Sequence, residues 1–455
     1  MELLFTLYGD PVAEQELGET ATIQGWLDVE AALAGALADA GVIAAGEAAS
    51  IGDACRIEHV DRDRLWEETR VVGYPILPLV RMICDRLPPW VAGLVHWGAT
   101  TQDIMDTALA GQVSAVLRRL WSLAAGFGDA LAVLVAAHQA TVMAGRTHGQ
   151  QAVPTTFGAK CAVLLDQVGR DLVRLERADE SVRIVSLFGA GGTSAALDDA
   201  ADAVRASLAR RLDLAEVRVP WHVARDGLAE AGQVAVLASG TAVRFAREVI
   251  DLSRTEVGEL AEADGEYRGA SSAMPQKANP ISAEAIVGFG VAAATMSGAL
   301  LRALEAGHER AAGEWQAEWQ ALPYVLRSSA GALRMAGILA RELRVSADRM
   351  RENLRLDHGL ILAEAYMTRL ARTLGRDRAH EVVYQAARRS RLEGRPLAQT
   401  LADAVGDEMV RGIGSEQIVP EQYLGSVPAI CKEALAQWEA RRGLRASASR
   451  NEEAQ

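Results

Sequence analysis

Three features of this 455-residue sequence predict an all-α fold. The first is proline, which breaks helix interiors. Its thirteen copies leave Pro-free runs at 90–153, 155–219, 221–274 and 324–395, each far longer than a typical helix. The second is periodicity. In the stretch CAVLLDQVGRDLVRLERA, Cys161, Leu164, Leu165, Val168, Leu172 and Leu175 recur at the i, i+3, i+4, i+7 spacing of one buried helix face, and Asp166 and Arg170 stand four apart on another. The third is what is scarce: strand-type alternation of β-branched residues is essentially missing and aromatics are 5% of the chain. Cores must therefore be built from Ala, Leu and Val between closely spaced helices. Long Ala-rich helices of this kind bury their faces against other helices, including those of a second subunit.

Taken in order, residues 1–100 read as an N-terminal helical domain punctuated by Gly-Asp-Pro, Gly-Tyr-Pro and Pro-Pro. Residues 101–345 read as a central bundle of long helices, interrupted by short polar, glycine-bearing stretches of which 265–282 is the most pronounced. Residues 346–455 read as a C-terminal domain of shorter helices with the turn-rich stretch PEQYLGSVPAI, closing on a tail, RASASRNEEAQ, that is expected to fray. No internal repeat is visible.

Composition narrows the function classes. The net charge is -13 and the Lys and Arg residues are dispersed, so no basic footprint for nucleic acid is present. Cys55, Cys84, Cys161 and Cys431 have no paired spacing, which suits free thiols in a reducing cytosol rather than a disulfide framework or zinc site. The start MELLFTLYGDP lacks a signal-peptide pattern, and no uninterrupted apolar run reaches the roughly 20 residues of a membrane span. A cytoplasmic protein with no membrane and no nucleic-acid partner is expected.

Four polar islands interrupt the apolar pattern: His96-Trp97-Gly98-Ala99-Thr100-Thr101-Gln102-Asp103; Gly145-Arg146-Thr147-His148-Gly149-Gln150-Gln151; GASSAMPQKANP with Ser271, Ser272, Met274, Lys277 and Asn279, followed by Glu284; and His308-Glu309-Arg310 with Trp315 and Trp319 behind it. Singly, each has a plain structural account. A histidine near a helix start is more often a cap or surface residue than a catalyst, and Thr-Thr before Gln-Asp fits an N-cap. Together they offer hydroxyls, an ammonium and amides able to cradle carboxylates without a metal or cofactor, and a histidine able to act as acid or base. A loop serine becomes a base only where charge partners and desolvation stabilise its alkoxide, a role within reach of Lys277. No Walker loop, dinucleotide fingerprint, nucleophile elbow, HExxH or CxxC pattern competes.

SSAMPQKANP resembles the signature loop of the fumarase/aspartase superfamily, S-S-x-M-P-x-K-x-N, and HWGATTQD and GRTHGQQAVPTTFGAK resemble its other two signature segments. LDVEAALAGALADAGVI, GLILAEAYMTRLARTLGRDRAHEVV and PEQYLG extend the likeness to nearly the whole chain, toward the branch holding adenylosuccinate lyase and 3-carboxy-cis,cis-muconate cycloisomerase. The resemblance implies a fumarase/aspartase-type fold with a 20-helix core in a homotetramer, active sites shared among three subunits, and a small dicarboxylate substrate. It assigns Ser271 as base, His148 as general acid oriented by Glu284, and Lys277 and Asn279 as stabilisers of a dianionic aci-carboxylate. Thr100 and Thr101 would bind a substrate carboxylate, with His96, Thr147, Gln150, Ser272 and Met274 lining the pocket. Arg310, Trp315 and Arg146 are candidates for contacting the leaving group. Ala270 and Ala278 depart from the family pattern, where glycine and often arginine stand; Ala270 is expected to stiffen the loop. The stretch LFGAGGTSAAL matches the family's glycine-rich segment and is expected to permit close helix approach.

Within the branch, the chain lacks the N-terminal Arg-Tyr pair of adenylosuccinate lyases, and its GEWQAEWQALP segment looks like the cycloisomerase group. The bacterial cycloisomerases carry an apolar residue in place of the histidine of the Thr-His pair, whereas His148 is present here. A lyase cleaving a C–N bond of an N-substituted or nitro-substituted succinate, as nitrosuccinate lyases do, is therefore the leading expectation, and the lactonising cycloisomerase the alternative. A purely structural role would be expected to let Ser271, Lys277 and His148 drift.

Overall fold

The Pro-free run 90–153 carries the longest helix among the described residues, Thr101–His138. A computed structural model of the chain describes residues 2–406 and 418–452. Among the described residues, four more long helices follow before position 345, Phe157–Val182, Asp226–Leu252, Ile281–Ala303 and Glu314–Glu342, so the chain is all-α as predicted. The stripe 161, 164, 165, 168, 172, 175 is buried at every position, and Asp166 and Arg170 form the i,i+4 ion pair.

The chain divides into two units that are discontinuous in sequence. The first comprises Met1–Ala124, Asp171–Val243 and Ala285–Arg334, and the second Ala125–Arg170, Arg244–Glu284 and Met335–Gln455. In the first, the Glu19–Asp39 helix packs against Ala45–Ala54 and Ala201–Arg211, burying Leu27, Leu33, Leu37, Ile51 and Leu208 in one core. Local signals set its short helices. Asp10 caps Pro11–Glu16 by accepting from the Ala13 amide (3.0 Å), with proline at the first turn where no amide partner is needed. Asp61 caps Arg62–Val72, and Gly73 ends it at φ 88°. In the second unit, Ala363–Leu374, Arg376–Glu393 and Leu397–Val405 pack in sequence around Leu370, Val383 and Leu401, together with Val142 and Ala144.

Four features differ from the sequence expectation. Residues Val142–Thr147 (β1) and Gln150–Thr156 (β2) form an antiparallel hairpin, not a break between helices. Its strands are too short for their alternation to stand out, and Pro154 within β2 weakens the strand signal. Pro323 lies inside Glu314–Glu342 rather than before a helix; packing of the buried Leu322, Val325 and Leu326 outweighs the one lost hydrogen bond. The C-terminal helix Val427–Glu452 runs through most of the stretch expected to fray. Finally, Thr101–His138 and Ile281–Ala303 are long and apolar enough to cross a membrane by length and composition. Charged residues interrupt both, Asp103, Asp106, Arg118, Arg119 and Asp129 in the first and Glu284 and Arg302 in the second, so neither holds an uninterrupted apolar run of roughly 20 residues.

Candidate active site

The first unit gathers HWGATTQD around the start of Thr101–His138. The chain turns through left-handed backbone at His96 (φ 60°) and Gly98 (φ 78°), where a Cβ on residue 98 would stand 2.5 Å from the Leu197 side chain. The His96 ring meets buried Glu30 at 2.6 Å through Nδ1. Burial opposes the imidazolium, but the Glu30 hydrogen bond and charge outweigh it and hold His96 above the usual histidine range. Asp103, wholly buried, accepts from five donors: the amides of Thr100 (3.0 Å), Phe188 (3.0 Å) and Gly189 (2.9 Å), the Ser186 hydroxyl (2.9 Å) and His222 Nε2 (2.7 Å). Burial pushes its carboxyl up, yet His222 and these amides pull it below the ordinary carboxylate value. Thr100 stands at the N-cap position, but its bond to Asp103 is the Asp103 half of a capping box; the Thr100 hydroxyl accepts from Arg310.

LFGAGGTSAAL does not mediate close helix approach. It forms an irregular segment whose amides dock on Asp103, and its Ala190 carbonyl accepts from Arg310 Nη2 at 3.4 Å. Arg310 also donates to Gln102 Oε1 (3.1 Å) and the Thr100 hydroxyl (3.4 Å), so two of the four islands meet. Thr101 begins the helix. Gln102 in turn donates to Asp106 (3.0 Å), which shares buried Arg225 with Glu318. Glu30, Asp103, Asp106, Arg225 and Glu318 were not singled out from sequence as functional; only the i+3 spacing of Thr100 and Asp103 signalled a contact.

The second unit holds the proposed acid and base. His148 and Gly149, at φ 51° and 74°, form the two-residue turn of the β1–β2 hairpin, the conformation that type I′ turns require. Thr147, His148 and Gln150 are exposed at its tip. Below them the register shifts between Gly145 and Arg146. Arg146, a candidate for the leaving group, is instead engaged by Glu259 through two hydrogen bonds of 3.0 and 2.6 Å; Glu259 also accepts from Asn353 (2.8 Å), and the Asn353 carbonyl accepts from Gln151 (2.9 Å). The fully buried Glu259 thus clamps one strand while Asn353 holds the other, and the two fix where His148 is presented.

Residues 269–279 form a loop pinned at its base. Both the Asn279 backbone amide (2.8 Å) and its side-chain amide (2.9 Å) donate to the Gly269 carbonyl, and Ala270 pairs with Ala278. The left-handed position is Gly269 (φ 67°), where a Cβ would lie 2.4 Å from the Asn279 carbonyl oxygen. Ala270 therefore occupies a place that does not need glycine. The Ser271 Oγ accepts from the amides of Ala273 (3.3 Å) and Met274 (3.2 Å), while Ser272, Met274 and Lys277 are exposed. Glu284 is exposed in the first turn of Ile281–Ala303, whose leading amides at Ser282 and Ala283 are capped by Glu262 (3.2 and 2.9 Å). Among the described residues, no hydrogen bond joins His148 to Glu284 within the chain.

A family described as Lyase matches residues 9–294, and one described as Adenylosuccinate lyase C-terminus matches residues 359–434. The chain belongs to the fumarase/aspartase superfamily and is an enzyme of the lyase class. Among its relatives, it is 40% identical to a 3-carboxy-cis,cis-muconate cycloisomerase of Pseudomonas aeruginosa, covering 91% of this chain and 92% of that protein. It is 35% identical to a nitrosuccinate lyase of Streptomyces davaonensis, covering 94% and 92%. The crystal structure of 3-carboxy-cis,cis-muconate lactonizing enzyme from Pseudomonas putida superposes with a TM-score of 0.91 at 34% identity, covering 97% of this chain and all of the other.

Proposed function

We propose that this lyase eliminates a nitro or nitrogen-linked group from a substituted succinate and releases fumarate, with Ser271 as base and His148 as acid. Ser271 Oγ takes the proton from the carbon next to one carboxylate. The electron pair left behind spreads into that carboxylate, then forms the carbon–carbon double bond as the carbon–nitrogen bond breaks and its electrons depart with the leaving group. His148 donates a proton to a basic leaving group; nitrite leaves as an anion and needs polarisation only. The Ala273 and Met274 amides that already face Ser271 Oγ favour its alkoxide. Lys277, exposed on the same loop, would meet the developing negative charge, and Thr100 and Thr101 the second carboxylate.

The observation that carries this reading is His148, a titratable group at the apex of a rigid hairpin, exposed and without a partner of its own among the described residues. The resemblance to a nitrosuccinate lyase supports it. The assembly that goes with it is a homotetramer with sites built from three subunits, so that Glu284 would orient a His148 of another copy; the free thiols Cys55, Cys84, Cys161 and Cys431 favour a cytoplasmic setting.

A second reading, a lactonising muconate cycloisomerase, is favoured by the 40% identity to such an enzyme. One NMR screen separates the two. The protein is incubated with nitrosuccinate, aspartate, adenylosuccinate, argininosuccinate and 3-carboxy-cis,cis-muconate, and the fumarate vinyl signal is followed. Fumarate from a succinate supports elimination; lactone from the muconate with no fumarate elsewhere overturns it.

A further inference from the structure

The first unit contains a cavity of about 320 Å³, within the range of small-ligand sites; its lining includes Trp315, a leaving-group candidate from the sequence, but none of the residues to which the proposed elimination gives a step. Four of the chain's nine tryptophans, Trp26, Trp66, Trp315 and Trp319, form its walls. Trp315 meets Trp319 edge-on at 4.9 Å between centroids and stacks against Tyr74 at 5.8 Å. Trp315 is buried, but Trp66 and Trp319 are only half-buried and the lining residue Gly73 is exposed, so the cavity reaches solvent. A structural cluster of rings would be expected to close on itself at the density of a protein interior. This one leaves room.

Charge identifies what would fill it. Asp106 and Glu318 both line the cavity. Between them lies Arg225, which donates to Asp106 at 2.6 and 3.0 Å and to Glu318 at 3.0 and 2.5 Å. All three are almost completely buried. Two carboxylates facing one guanidinium leave an excess negative charge beside the aromatic walls. Burial raises the Glu318 carboxyl, Arg225 opposes the rise, and the Asp106 charge adds to it. An anion would be repelled, and a neutral guest would leave the charge unbalanced. A small metal ion would find rings where it needs oxygen ligands. A cation with an apolar body satisfies both the walls and the charge, because indole faces attract cations.

We propose that this cavity binds a hydrophobic organic ammonium ion, held by the four tryptophans and balanced by the Asp106–Arg225–Glu318 group. The test is isothermal titration calorimetry of the full-length protein with tryptamine and with tryptophol, its neutral counterpart of the same shape. One tryptamine per chain is expected, about tenfold or more tighter than tryptophol. Glu318→Gln removes the excess charge, so the preference for the amine should vanish while tryptophol binding persists. Trp319→Leu, at the half-buried rim, should weaken tryptamine about tenfold and assign binding to this cavity. Equal affinity for the two compounds, or no binding of tryptamine, overturns the proposal. A preference that survives Glu318→Gln does the same. Should Glu318→Gln fail to fold by circular dichroism, Trp319→Leu decides alone: unchanged tryptamine affinity overturns the proposal and weakened affinity supports it.

Discussion

Ser271 is an ordinary hydroxyl made unusual by its neighbours. Two amides point at its oxygen, whereas Ser272 beside it is exposed on the loop. Ser271→Ala is therefore expected to lower kcat at least about a hundredfold with little change in KM, since a base acts in the transition state more than in substrate binding. Near-normal turnover in Ser271→Ala together with its loss in Ser272→Ala would reassign the base. His96 makes a prediction about pH. Its folded value lies above the ordinary 6.5, because Glu30 outweighs burial. A raised value means that protonated His96 contributes stability in full below about pH 6.5 and that this contribution disappears as pH climbs through the raised value. Urea unfolding of the native chain should accordingly lose stability as pH rises above 6.5, in excess of the loss seen in Glu30→Gln. Parallel pH dependence in the two proteins would refute the linkage.

At the scale of elements, one buried carboxylate joins a helix start to an irregular segment. Asp103 sits in the first turn of Thr101–His138 and receives the Ser186–Gly189 stretch through three hydrogen bonds. Asp103→Asn keeps the size but replaces one acceptor oxygen with an NH2 that faces donors. The expected cost is about 3 kcal/mol of unfolding free energy, from hydrogen bonds to a charged group lost and amides left unpaired. Chemical denaturation measures this, and a cost under about 1 kcal/mol would mean that the segment is held by packing instead. The hairpin shows the same logic. Val142 and Ala144 anchor one end in the apolar core, while Glu259 and Asn353 hold the polar end, so that an exposed histidine is carried on a fixed support.

For the whole molecule, the outward residues of the long helices matter most. Val291 and Leu301 on Ile281–Ala303 are 52% and 51% exposed, and Leu237 on Asp226–Leu252 is 52% exposed. Apolar surface on long helices is what a subunit interface covers. Light scattering after gel filtration is expected to give four times the 48.5 kDa chain mass. Val291→Glu combined with Leu301→Glu should reduce it. A native chain that runs as a monomer and still turns over substrate would remove the case for shared sites.

Much of this protein was determined by its sequence alone. Proline spacing and the 3.6-residue stripe settled the helices, because both act through local backbone geometry and one-face burial. The SSAMPQKANP, HWGATTQD and GRTHGQQ stretches marked the residues proposed for the site, through their resemblance to the family's signature segments. Tertiary structure alone decided the rest. Glu259 is 113 residues from Arg146, and Asp103 is 119 residues from His222, so no local pattern announces either pair. The same holds for Asp106, Arg225 and Glu318, which look like surface charges until the fold buries them together. Periodicity reports which face of an element is buried; only the folded chain determines which distant charge meets it there, since desolvation makes that choice of partner obligatory.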